Sequence, residues 1–211
     1  MNIQYGSGRR VSALGRRLLL ACAVGGSLAQ AAPPLPADAK RQLAAVDVQP
    51  TIERLVQFCA EGDAATVELL LAAGVSPSAA DPVRKVTPLH GAAAQGHARL
   101  VERLLALGAN IDAQDWQGNT ALIDAAYYGR AGVVDLLLAK GARTDVRPPR
   151  GPTALIAAVQ SGSIAVVEKM LAAGADPHLA DAAGLTPLAA AQASGRQQIA
   201  TRLAAATGNK P

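Results

Sequence analysis

The chain is expected to fold as an all-α solenoid, with short helix-turn-helix units stacked side by side and joined by hairpin-like loops. Three observations predict this. Thr87, Thr120, Thr153 and Thr186 fall 33 residues apart. Gly96, Gly129, Gly162 and Gly195 repeat that spacing nine residues later, and Gly108, Gly141 and Gly174 keep it again. The apolar fraction is 50% while aromatics supply only 2%, so the core must come from Ala and Leu, which suits thin helices packed in layers. A fixed period in this range marks stacked supersecondary units.

Residues 1–31 open the chain and read as an export signal. Arg9, Arg10, Arg16 and Arg17 are its charges, and it holds no acid. Leu18–Leu28 is an apolar stretch of 11 residues, too short to span a bilayer. Ala29-Gln30-Ala31 offers a small-x-small cleavage site. The same residues also admit an uncleaved anchor or an unstructured tail. Arg16-Arg17-Leu18 loosely resembles a twin-arginine signal, so export is expected by the general or the twin-arginine route, to the periplasm or beyond it. Cys22 loosely resembles a lipoprotein box, but the apolar run before it is short for lipidation. Removing the four leader arginines from the 20 Lys and Arg leaves 16, matched by 16 Asp and Glu. The basic balance therefore belongs to the leader, and no nucleic-acid partner is expected. No membrane insertion is expected once the leader is removed.

Residues 32–47 read as a Pro-rich linker followed by a short helix over Ala39–Val46. Thr51–Ala60 reads as the first helix of a weak copy, with Gly62 and Gly74 offset by 34 from the next. The additional residue falls near Asp81–Val86. Glu53 and Arg54 stand where Thr and Pro would be, as suits a terminal repeat whose outer side meets water. The full unit is clearest over Asp115–Asp145. Its Thr caps the first helix, and Pro88 and Pro187 suit the first helical turn of their copies. Ala92, Ala125, Ala158 and Ala191 are small enough for close helix approach. The next Gly ends that helix. The second helix carries Leu70–Leu71, Leu104–Leu105, Leu137–Leu138 and Met170–Leu171, and a second Gly ends it. Helices of roughly two turns are marginal alone and need neighbours. The last copy is polar at Gln192, Arg196, Gln197, Gln198 and Arg202, as expected of a cap, so about five repeats are expected with both ends in view.

These residues resemble the ankyrin repeat. The shared motifs are Thr87-Pro88-Leu89-His90, Gly96-His97 and Gly108-Ala109-Asn110. Asp115, Gly118, Thr120 and Gly141-Ala142 follow in the next copy, then Gly151, Thr153 and Gly174-Ala175-Asp176, then Asp181, Gly184 and Thr186-Pro187-Leu188. The resemblance covers about residues 50–206. It implies an ankyrin-repeat domain at 48–206, divided near 48–80, 81–114, 115–147, 148–180 and 181–206, with a tail at 207–211.

Chemistry-bearing motifs are sparse. Cys59 is the one cysteine beyond the leader and aligns with Ala93, so it reads as a buried apolar side chain. His90 and His97 fall on the family's own His positions, where the resemblance implies hydrogen bonds to neighbouring backbone and Thr. His178 stands alone in a loop. Ser161 and Ser163 flank Gly162 without a nucleophile elbow. Asp112, Asp145, Asp176 and Asp181 read as turn and capping residues. No metal-ligand spacing or phosphate loop occurs, so no catalytic residue, metal or cofactor is expected.

Surface recognition remains. The resemblance implies a concave face built from loop tips and the exposed end of each first helix. Carried over position by position, it yields Trp116, Gln117, Asn119, Tyr127 and Tyr128 in the third copy, flanked by Arg84 before it and by Arg150 and Gln160 after it. Trp and Tyr are enriched among residues that dominate interfaces. The competing reading is that these aromatics cover their own loop and helices. The loops at Asp81–Val86 and Val146–Arg150 depart from the family pattern, the first lacking Gly and the second replacing Asp with Pro. The expected function is non-enzymatic protein binding by a monomer in the bacterial periplasm. Some exported bacterial members are thought to support oxidative-stress enzymes such as catalase, so the resemblance implies an exported enzyme as one kind of partner. The alternatives are a secreted effector acting on a protein of another cell, and an enzyme whose site follows no motif.

Overall fold

The structure is a computed structural model that describes residues 35–208; the export-signal reading of residues 1–31 lies outside them. Among the described residues there are eleven α-helices and no strand. They are α1 (Pro36–Ala45), α2 (Ile52–Glu61), α3 (Ala64–Ala72), α4 (Pro88–Gln95), α5 (Ala98–Ala106), α6 (Ala121–Tyr127), α7 (Ala131–Ala139), α8 (Ala154–Ser161), α9 (Ile164–Ala172), α10 (Pro187–Ala193) and α11 (Gln197–Ala206). Helices α2 to α11 form five consecutive pairs. The first members, α2, α4, α6, α8 and α10, stack in one row. The second members lie in another.

Local chemistry sets the helix ends. Thr120, Thr153 and Thr186 accept hydrogen bonds from Ile123 N, Ile156 N and Ala189 N, each three residues into its helix. Such a cap typically contributes about 1 kcal/mol. Ahead of α2 the cap is Thr51, which accepts from Arg54 N. It lies two residues before the position the period assigns, so α2 starts earlier than α4 does and is longer by two residues. Helix α1 starts at Pro36 rather than Ala39, because proline is well accommodated in a first helical turn.

The alanines expected at the helix contacts, Ala92, Ala125, Ala158 and Ala191, are all fully buried. Gly91 shows how close the first row packs: a Cβ there would sit 2.8 Å from the Val56 carbonyl oxygen. In each apolar pair of the second helices the leading residue (Leu70, Leu104, Leu137 or Met170) is fully buried, while its partner is half-buried. Each buried side chain of this size contributes roughly 2 kcal/mol by leaving water.

The outward side of the first repeat is covered, contrary to the expectation that it meets water. Helix α1 lies against α3, with Ala39 and Leu43 fully buried. Without α1 the apolar side of α3 would be open to solvent. Further links cross the repeat boundaries. His97 Nε2 reaches the Ala60 carbonyl at 3.1 Å, Arg130 Nε donates to Ala94 at 2.9 Å, and Arg196 Nη2 donates to Gln160 at 2.7 Å. At the corresponding place in the fourth repeat, the Ser163 hydroxyl accepts from Val166 N and caps its own helix. On the second helices the ion pairs Arg103–Glu68, Lys169–Asp135 and Arg202–Glu168 bridge adjacent or successive units.

Candidate protein-binding face

The loops that precede each first helix are shaped by an Asp. In the third repeat Asp115 Oδ1 accepts from Gln117 N and Asn119 N, and Asp115 N donates to the Asn119 carbonyl. Gly118 takes φ 89° in this turn. The loop of the second repeat is one residue longer and has no glycine. Lys85 takes the left-handed place at φ 53°, while Asp81 accepts from Val83 N, Arg84 N and Val86 N. In the fourth repeat Pro148 replaces the Asp and has no N–H to close the loop. Pro148 and Pro149 instead pack on Gly118, where a Cβ would come within 2.6 Å of the Pro149 ring.

Neighbouring loops are thereby joined. Trp116 N donates to the Arg84 carbonyl at 2.9 Å. His90 is buried in α4; its Nδ1 accepts from Thr87 N, which leaves Nε2 to donate to the Asn119 carbonyl at 3.0 Å. Burial holds its pKa below the ordinary value and so favours the neutral ring.

Trp116 is 47% exposed and Tyr127 45% exposed. Tyr128 is half-buried and meets Tyr127 edge to face, with ring centroids 5.2 Å apart and planes at 87°. That geometry aligns the positive ring edge with the negative ring face. Arg84, Arg150 and Gln160 are exposed. Gln117 and Asn119 are half-buried and share a side-chain hydrogen bond at 3.5 Å, while Asn119 Oδ1 is buried without a partner. Asn119 lies against Gly151, where any Cβ would come within 2.5 Å of that oxygen. The structure thus brings Arg84 to Trp116, Gln117 to Asn119, and Tyr127 to Tyr128. Arg150 and Gln160 stand exposed on the following repeat, apart from these pairs.

Asp124, on α6, was not among the expected residues. Gly91, Ala157 and Ala190 occupy its place in three other repeats. A carboxylate alone in a column of small residues was the readable signal. Burial pushes its pKa from 3.8 to about 8, and the Asp115 charge adds to the shift. Cys59 is buried, and burial pushes its thiol to about 12, far from the thiolate that reactivity requires. Of the loop acids, Asp176 and Asp181 accept from nearby backbone N–H groups. Asp112 accepts from Arg143 N of the next repeat, and Asp145 pairs with the Arg143 side chain.

A family model for ankyrin repeats, three copies long, matches residues 55–148, and a single ankyrin-repeat model matches residues 150–182.

Proposed function

Because the chain belongs to the ankyrin-repeat family, whose members are generally non-enzymatic protein-interaction modules, we propose that it is an adaptor of the bacterial periplasm. It binds a partner protein through the face centred on the third repeat, and the partner is an exported enzyme, such as an oxidative-stress enzyme, that it supports or regulates. One observation carries the choice of face. Large aromatic side chains stand exposed at Trp116 and Tyr127, in the middle of the array, on loops and helices tied to both neighbours. Such residues supply much contact area at low entropic cost. The location rests on the reading of residues 1–31. Among the described residues no helix is long and apolar enough to cross a membrane.

A crosslinked pull-down from the periplasmic fraction tests this, comparing the wild type with Trp116→Ala/Tyr127→Ala/Tyr128→Ala after circular dichroism shows both folded. Capture by the wild type and loss by the variant is the expected result. Equal capture by both would move the interface elsewhere. Activity of the captured enzyme, measured with and without this chain, then separates support from inhibition.

A further inference from the structure

The loop tips of repeats two to four form one surface whose charges are sorted. Asp81 and Asp115 turn their carboxylates inward onto backbone N–H groups of their own loops, and the fourth loop has Pro148 in that place. The side chains of Arg84, Lys85 and Arg150 point to solvent and take part in none of the ion pairs. The cations that are paired lie on the second helices, on α1 and at Arg143. A chain balanced in charge outside its first 31 residues therefore presents an excess of positive charge here. Apolar groups are interleaved with the cations: Val83 is 83% exposed, Trp116 is 47% exposed, and Pro149 is exposed on the next loop. The Trp116–Arg84 backbone bond and the seating of Pro148 and Pro149 on Gly118 hold the tips in a fixed row. Fixing the row before binding lowers the ordering cost of contact.

We propose that this row docks an acidic, partly apolar surface of a partner protein, with carboxylates between Arg84, Lys85 and Arg150 and apolar side chains against Val83, Trp116 and Pro149. The proposal rests on the reading of the chain as a protein-binding module and adds the chemistry of the partner. Complementary charge of this kind sets encounter rate and partner choice. Exposed aliphatic tips have no counterpart on a phosphate backbone, which favours protein over nucleic acid.

The chain carries one tryptophan, so Trp116 emission reports on the row directly. The full chain is titrated with three sets of short synthetic peptides matched in apolar content: net acidic, neutral and basic. A single-stranded oligonucleotide forms a fourth arm. Two variants accompany the wild type: Arg84→Ala/Arg150→Ala, and the control Arg99→Ala/Lys140→Ala, which removes exposed cations elsewhere. The expected result is an emission shift with the acidic set, at an affinity about tenfold or more above the other peptide sets. That affinity falls about tenfold in Arg84→Ala/Arg150→Ala, falls as salt shortens the screening length from about 10 Å, and is unchanged in the control. Binding of the acidic set that ignores Arg84→Ala/Arg150→Ala overturns the proposal. So does tighter binding of the oligonucleotide, or no emission shift with any peptide set. If the neutral or basic set shifts Trp116 equally well, the acidic-partner inference fails while protein binding at this face stands. If peptides bind without moving Trp116 and still bind Trp116→Ala/Tyr127→Ala/Tyr128→Ala, the choice of face fails as well.

Discussion

Replacing Asp124 with Asn should stabilise the protein, increasingly so as pH rises. In the folded chain burial and the Asp115 charge hold this carboxyl at about 8, against 3.8 ordinarily. Between those values the folded state keeps a proton that the unfolded chain releases. Fewer protons bound in the unfolded state mean that stability falls as pH rises. The wild type therefore has its full stability below about pH 4 and loses the contribution progressively up to about pH 8. At about 1.4 kcal/mol per pH unit the ceiling of the loss is roughly 6 kcal/mol. Asn keeps the shape without the titration, so the gap between variant and wild type should be small near pH 4.5 and approach that ceiling near pH 8.5. Urea unfolding followed by circular dichroism at both pH values measures it. Carbon NMR of the Asp124 carboxyl reads the titration directly. A gap that does not grow with pH, or a carboxyl that titrates near 4, would refute the reasoning.

Lys85→Gly should gain about 0.5 kcal/mol in urea unfolding, because relief of about 1–2 kcal/mol from the left-handed φ of 53° outweighs the added freedom of glycine in the unfolded chain; a loss would show that Lys85 is not strained. His90→Ala should cost roughly 2–3 kcal/mol, since it removes the acceptor for Thr87 N and the donor to the Asn119 carbonyl across the repeat boundary. A change below about 0.5 kcal/mol would mean that water replaces both bonds. Cys59 should react with a thiol-directed disulfide reagent only as fast as the protein opens, even at pH 8.5, because burial holds its thiol at about 12. Rapid labelling of the native protein would contradict that burial.

Much of the fold was legible because each unit specifies its own geometry. The Thr caps, the glycine stops and the small Ala column act within one repeat and recur with the period, so four copies corroborate one another. Cys59 was placed in the core by alignment with Ala93, and it is buried. The helix read over Thr51–Ala60 stands at Ile52–Glu61, and its cap Thr51 lies two residues ahead of the place the period assigns because the first copy departs from the pattern. At the candidate face, the family resemblance implied that Trp116 and Tyr127 stand at exposed positions, and both are exposed. The period passed over Asp124 because a column of Gly and Ala elsewhere reads as packing.

The sequence by itself determined the number of helix pairs, the ends of the helices that keep the period, and the small and apolar columns that form the core, since these follow from local caps and apolar spacing. The tertiary structure alone decided how the units meet. It laid α1 over α3, tied Trp116 to Arg84, seated the fourth loop on Gly118 and buried Asp124 within reach of the Asp115 charge. A periodic pattern describes positions within a repeat. Contacts between repeats depend on which particular side chains face one another across the boundary, and there a single departure such as Pro148 or Lys85 redirects the packing.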